Sequence, residues 1–128
     1  MLKREKNILM EKVNAFTNRI IRLYQYLKDS KQEYILSKQL LQSGTSIGAN
    51  FIESQSAQSS ADFIHKLEIA LKEAQETKYW IDKLLVGNYI SNYGHTSISN
   101  DNIELIKLLS AIIITKKRNI RNGEDVKY

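Results

Sequence analysis

The sequence predicts an all-α protein: an antiparallel up-down-up-down four-helix bundle that forms a single domain over residues 1–128. Proline is absent from the 128 residues, so no residue forces a helix to break. Apolar residues recur at spacings of three and four along four separate segments, which is the pattern of amphipathic helices. Short connections join these segments, as they do in up-down bundles.

The first predicted helix covers residues 5–28, and the second covers residues 32–55. Both place apolar side chains three, four or seven residues apart, so that each helix has one apolar face. The residues on these two faces include Val13, Phe16, Ile20, Leu40, Ile47 and Phe51.

The third predicted helix covers residues 60–86, because Ser59 is suited to cap a helix that starts there. A connection over residues 88–100 follows, with Gly94 as its predicted left-handed residue. The last predicted helix covers residues 101–119 and starts with the spacing of a capping box, an acidic residue followed three positions later by glutamate. A tail at residues 123–128 is predicted to fray.

Several apolar residues fall beside the predicted core faces instead of within them. They are Tyr79, Trp80, Leu105, Leu108 and Ile114. Surplus apolar surface on a small bundle is typical of a protein–protein interface. The sequence therefore predicts a homo-oligomer.

A polar stripe and two glycines distinguish the second helix from an ordinary amphipathic helix. Each glycine, Gly44 and Gly48, costs about 1 kcal/mol relative to alanine, which a helix accepts where something approaches its backbone closely. The stripe consists of Ser43, Ser46, Asn50 and Glu53.

Two interpretations of the polar stripe remain open. In the first, it forms a buried hydrogen-bond network with polar residues of the third helix, which fixes the register of the two helices. In the second, it lines a polar cleft that binds a small ligand or a segment of RNA. The third-helix candidates are Glu73, Glu76 and Thr77.

The charge distribution admits a polyanionic partner. Nineteen Lys and Arg against fourteen Asp and Glu leave a net charge of +5, a balance that favours association with polyanions. This excess either keeps the surface solvated or binds RNA or DNA. The candidate contacts are Lys116, Lys117, Arg118 and Arg121, with Arg19 and Arg22 as weaker candidates.

The sequence contains no catalytic or metal-site signature, so we expect no enzyme, no metal and no cofactor. The chain has no cysteine and two histidines. His65 precedes Glu68, the reverse of the Glu-x-x-His order in dimetal bundles, and His95 falls in the predicted connection. No phosphate-binding glycine loop is present.

No apolar run approaches the roughly 18 residues of a membrane span, so we expect a cytoplasmic protein without a membrane partner.

Two motifs resemble those of the 23S rRNA intervening-sequence proteins, a family of four-helix bundles. Residues 39–53 read Gln-Leu-Leu-Gln-Ser-Gly-Thr-Ser-Ile-Gly-Ala-Asn-Phe-Ile-Glu, and residues 62–77 match the second family motif in kind and spacing. The sequence differs from the family motif at two positions. Gln42 occupies a position that is usually basic, and Ser54 replaces a usual glycine.

The resemblance implies a bacterial-type protein that forms a ring-like homopentamer. The activity of this family is not established. Together with the charge, it supports a non-enzymatic ring that binds RNA or DNA with little sequence preference. A protein-interaction scaffold without nucleic-acid binding is the first alternative. Binding of a small ligand along the polar stripe is the second.

Overall fold

The computed structural model describes residues 2–123, which form four α-helices and, within that range, no strand. The all-α class predicted from the sequence is confirmed. Close packing joins each helix to its neighbour in the chain, and α4 also packs against α1. The helices are α1 (Leu2–Asp29), α2 (Leu36–Ser54), α3 (Ser60–Val86) and α4 (Asn92–Arg121).

All four helices contribute apolar side chains to one core. Ile20, Phe51, Leu67 and Leu109 are fully buried at 2% exposure or less. Leu105 is also buried, at 1% exposure, so its predicted place in the surplus apolar surface is wrong. Leu105 is next in sequence to the predicted core residue Ile106. A side chain at such a position is still buried where the apolar face of the helix is wide enough to contact two neighbouring helices.

Ion pairs and hydrogen bonds between helices define how the helices align. Between α2 and α3, Ser43 contacts Thr77, and Glu53 contacts Lys66. Thus the residue number falls along α3 as it rises along α2. Between α1 and α4 the order is also opposite. The pairs there are Lys12 with Glu104 and Arg19 with Asp101.

Helix α4 starts nine residues earlier than the sequence predicted. Its N-cap is Ser91, whose hydroxyl oxygen accepts a hydrogen bond from the backbone N–H of Gly94. Gly94 therefore lies in the first helical turn and is not left-handed, whereas Asn88 has a φ of 61°. Asp101 lies inside the helix and pairs with Arg19 instead of capping.

Helix α2 starts at Leu36, four residues later than predicted, because Glu33 caps it from the preceding connection. The Glu33 carboxylate accepts hydrogen bonds from the backbone N–H groups of Ile35 at 3.2 Å, Leu36 at 3.0 Å and Ser37 at 2.7 Å. Burial acts to raise the pKa of Glu33, but these donors outweigh it and lower the pKa. The charged carboxylate is thus the form that holds the start of α2.

The two glycines of α2 face α1. A Cβ atom added at Gly44 would lie 2.8 Å from Cγ2 of Ile20, and one at Gly48 would lie 3.1 Å from Cγ1 of Val13. The close approach that the sequence predicted at these glycines is therefore made by another helix of the same chain.

Helix α4 ends at Arg121, and Gly123 beyond it has a φ of 77°. Residues 124–128, which hold most of the predicted frayed tail, lie outside the described residues. Of the helices in the part of the chain that the structure describes, none has the length and apolar character that a bilayer span requires.

Candidate functional sites

Two lysines from opposite ends of the sequence meet at one aromatic ring. The Nζ atoms of Lys6 and Lys116 lie 5.1 Å and 5.6 Å from the centroid of Phe63. Phe63 is near the start of α3, so the ring brings the first turns of α1 and the last turns of α4 together. Attraction between an ammonium group and an aromatic face holds each lysine at this position.

The other cations of the predicted C-terminal cluster lie in the last two turns of α4, close to Lys116 along the helix. Lys117 pairs with Glu68 at 3.0 Å, which cancels much of its charge. The side chains of Arg118 and Arg121 are exposed and have no hydrogen bond or ion pair with another described residue. We call this group the cationic end. Its members are Lys6, Lys116, Lys117, Arg118 and Arg121.

The structure separates Arg19 and Arg22 from the cationic end. Arg19 donates hydrogen bonds to Asp101 at 2.8 Å and to Ser97 at 2.7 Å. Asp101 and Lys116 are fifteen residues apart on one helix, which corresponds to about 22 Å. The six predicted cations therefore belong to two different surfaces.

Arg19 and Arg22 line a groove between α1 and α4, which are the least closely packed of the neighbouring helices. One cavity in this groove, of about 470 Å³, has Phe16 and Leu105 at its base. An adjoining cavity of about 270 Å³ is lined by Arg19, Arg22, Leu23, Ile90, Gly94 and Ile98. The groove therefore combines an apolar base with arginines at its edge.

Only one residue of the polar stripe joins a buried contact between helices. The hydroxyl of Thr77 donates to Ser43 Oγ at 2.9 Å, and both residues are buried at 1% exposure or less. This pair corresponds to the predicted network.

The other three residues of the stripe do not bond to Glu73, Glu76 or Thr77, so the buried contact extends no further than Ser43 and Thr77. Ser46 donates to the backbone oxygen of Gln42, and Asn50 donates to that of Ser46, so both bond within α2. Glu53 pairs with Lys66 at 3.0 Å, and Glu76 accepts from Trp80 Nε1 at 3.2 Å. Side-chain bonds to the preceding turn are the local alternative for Ser and Asn in a helix.

Asp82, His95 and Ser99 form a polar cluster that the sequence analysis missed. His95 Nε2 lies 2.8 Å from Asp82 Oδ1 and 3.4 Å from Ser99 Oγ. A Ser-His-Asp triad uses both ring nitrogens, one for the carboxylate and one for the serine. Here both partners meet the same nitrogen, so the cluster has no triad geometry and instead ties α3 to α4.

We expect Asp82→Asn to lower the free energy of unfolding by roughly 0.5 kcal/mol near neutral pH, because the pairs with His95 and Lys78 are partly exposed. Burial acts to raise the pKa of Asp82, but hydrogen bonds from His95 and Lys78 outweigh it and lower the pKa. This contribution is therefore present above the unfolded-state pKa of about 3.9 and is lost as the pH falls through the folded-state value.

Urea unfolding of both proteins near pH 6 and near pH 3 measures this effect, with the exposed Glu11→Gln as a control. A difference between the wild type and Asp82→Asn that is larger at the acid pH would contradict the assignment.

Within residues 2–123, no three His, Asp or Glu side chains gather in the way that a metal ion requires. His65 is exposed on α3, away from the His95 cluster in sequence. The described residues therefore offer no metal centre around which a reaction could be derived.

A family model for the 23S rRNA-intervening sequence protein matches residues 5–111. Among solved structures, the chain is similar to a protein of unknown function of the S23 ribosomal protein family from Bacteroides thetaiotaomicron VPI-5482, whose crystal structure was determined at 1.70 Å resolution. The two are 50% identical with a TM-score of 0.84, over 85% of this chain and 97% of the other. No curated protein is found to match the chain.

Proposed function

The chain belongs to the family of 23S rRNA-intervening sequence proteins, and we propose that it is a non-enzymatic homo-oligomer that binds RNA or DNA. Binding is through the sugar-phosphate backbone and has little sequence preference. Family membership confirms the resemblance seen in the sequence motifs. The activity itself is inferred from the charges.

The observation that carries this proposal is the convergence at Phe63 of cations from both ends of the chain. Lys6 and Lys116 lie at the ring, and Arg118 and Arg121 follow in the last turn of α4 without a carboxylate partner among residues 2–123. Unpaired guanidinium groups at a surface suit phosphate oxygens, which they bind through a planar fork of donors.

The proposed assembly is a ring of five antiparallel up-down-up-down bundles. The opposite order of the paired residues along α1 and α4, and along α2 and α3, supports this topology. Tyr79 and Ile114 are 53% and 57% exposed and are the candidates for contacts between protomers. At +5 per chain, five chains carry about +25, so such a ring would bind polyanions multivalently.

Fluorescence anisotropy with an RNA hairpin and with a duplex DNA tests the proposal. We expect binding at about 50 mM salt, with a binding constant that falls as salt rises because each neutralised phosphate releases counterions. The variant Arg118→Glu/Arg121→Glu should weaken binding by about tenfold and make the slope of log K against log salt less steep by about two.

The matched control is Lys31→Glu/Lys38→Glu, which makes the same change in net charge at exposed positions away from the cationic end. Equal losses in the two double variants would show a general charge effect and no localised site. No binding of either nucleic acid at low salt would refute the proposal, while light scattering on a size-exclusion column reports independently whether the protein is a pentamer.

A protein-interaction scaffold is the second candidate, and exposed apolar residues in or beside two connections favour it. Tyr34 and Ile35 precede α2, Val86 ends α3, and Tyr93 is in the first turn of α4. Their exposed fractions are 53%, 75%, 73% and 86%. A ring that keeps its mass when bulk RNA is added would favour this scaffold over nucleic-acid binding.

A further inference from the structure

The groove between α1 and α4 holds one cation that no carboxylate neutralises. Lys12 pairs with Glu104 at 3.2 Å, and Arg19 pairs with Asp101 at 2.8 Å. Arg22 is exposed and has no ion pair or hydrogen bond within residues 2–123. The three cations and two carboxylates of the groove therefore leave a single positive charge, and it resides on Arg22.

The smaller cavity of the groove is suited to an apolar group beside that charge. Apart from the two arginines, its lining consists of Leu23, Ile90, Gly94 and Ile98, and no carboxylate lines it. Ile98 is 3% exposed and forms part of the core, so this wall is fixed in place. Gly94 adds no side chain to this lining.

We propose that this cavity binds a small amphipathic monocarboxylate. The guanidinium of Arg22 takes the carboxylate through its planar donor fork, and the apolar body packs on Leu23, Ile90 and Ile98. Its volume of about 270 Å³ equals that of about nine water molecules in the liquid, which corresponds to a ligand of eight to ten heavy atoms.

The charge balance selects a single anionic group. Arg19 already donates to Asp101 and Ser97, so it adds no uncompensated charge. A dianion would leave one charge unmatched beside an apolar wall. A polyanion would find one free cation here, whereas the unpaired Arg118 and Arg121 lie together at the cationic end, about 30 Å along α4 from Ile98. The site is therefore independent of the proposed nucleic-acid contact.

Octanoate is the probe that matches this cavity in size and charge. Isothermal titration calorimetry on the intact oligomer should show saturable binding, and the amide resonances of Gly94 and Ile98 should shift in NMR spectra. Octanamide has the same shape without the charge and should bind at least tenfold more weakly. Acetate, which has no apolar body, should not bind detectably. Failure of octanoate to bind overturns the proposal.

The variant Arg22→Gln separates this site from non-specific uptake. We expect it to weaken octanoate binding at least tenfold and to leave thermal unfolding unchanged, because the side chain is exposed. Arg4→Gln makes the same change at another exposed position of α1 and should bind octanoate as the wild type does. Equal affinity in the two variants would overturn the assignment.

Two further outcomes of the same variant would overturn the proposal in favour of another occupant. A change in oligomer mass on Arg22→Gln would assign the groove to a second copy of the chain. Loss of RNA binding with octanoate binding unchanged would assign Arg22 to the nucleic acid. The proposal requires that mass and RNA affinity both stay as in the wild type.

Discussion

Replacement of Gly44 by valine is expected to lower the free energy of unfolding by about 3 kcal/mol, because α1 leaves no room for a side chain. A Cβ atom at this position would lie 2.8 Å from Cγ2 and 3.0 Å from Cγ1 of Ile20. Both distances are shorter than van der Waals contact between carbon atoms. Ile20 is fully buried and branched at Cβ, so it cannot turn aside. The gain in helix propensity from Gly to Val, a few tenths of a kcal/mol, is much smaller.

Urea unfolding of Gly44→Val measures this loss, and Ala49→Val on the exposed face of α2 is the matched control. The control should lose less than about 1 kcal/mol, through propensity alone. In the Gly44→Val background, Ile20→Ala should recover part of the loss, because it makes room for the new methyl groups. If Gly44→Val does not fold, Gly44→Ala with Ile20→Val tests the same contact. A loss of unfolding free energy equal to that of Ala49→Val would refute the close contact between Gly44 and Ile20.

Replacement of Glu33 by alanine is expected to lower the free energy of unfolding by about 2 kcal/mol, because it removes the cap of α2. Three backbone N–H groups, those of Ile35, Leu36 and Ser37, would lose their charged acceptor. Hydrogen bonds to charged groups contribute about 1.5–3 kcal/mol, and loss of a cap costs about 0.5–2 kcal/mol. Glu11→Ala, exposed on α1, should change stability by less than about 0.5 kcal/mol.

The effect of Glu33 should also depend on pH. The pKa of Glu33 is lowered in the folded state, so its contribution is complete above the unfolded-state pKa of about 4.3 and is lost as the pH falls through the folded value. Glu33→Gln keeps one acceptor oxygen and should lose about half as much near neutral pH. Urea titrations from about pH 7 to about pH 3 should show the gap between wild type and Glu33→Gln closing in acid. A constant gap would mean that the carboxylate charge does not hold the cap.

The sequence allowed α3 to be predicted more closely than α4, for local reasons. Helix α3 has an explicit N-cap at Ser59, whose oxygen accepts from the N–H of Asp62, and a regular apolar face. The first turns of α4 contain Asn, Ser and Gly residues, which local propensity assigns to a connection. They are helical because tertiary contacts hold them: His95 with Asp82, and Ser97 with Arg19.

The candidate sites could be predicted only in part from the sequence. The C-terminal cations are adjacent in sequence, so their proximity needed no structure. That Lys6 joins them depends on Phe63, which lies between the start of α1 and the end of α4. In the sequence, Arg22 is only a weaker candidate for contact with RNA or DNA. That it is the one unpaired cation of the groove depends on the pairing of Lys12 and Arg19 with carboxylates of α4.

Four amphipathic helices, a close approach at the α2 glycines, the net positive charge and the family motifs could all be predicted from the amino-acid sequence. Periodicity and propensity act within a few residues, and so they are readable along the chain. The packing of the helices set the rest: α1 fills the space beside those glycines, two residues of the polar stripe bond within α2 while the other two reach α3, and α1 and α4 leave a groove. Those outcomes depend on distances between side chains far apart in sequence, which only the packing of the four helices sets.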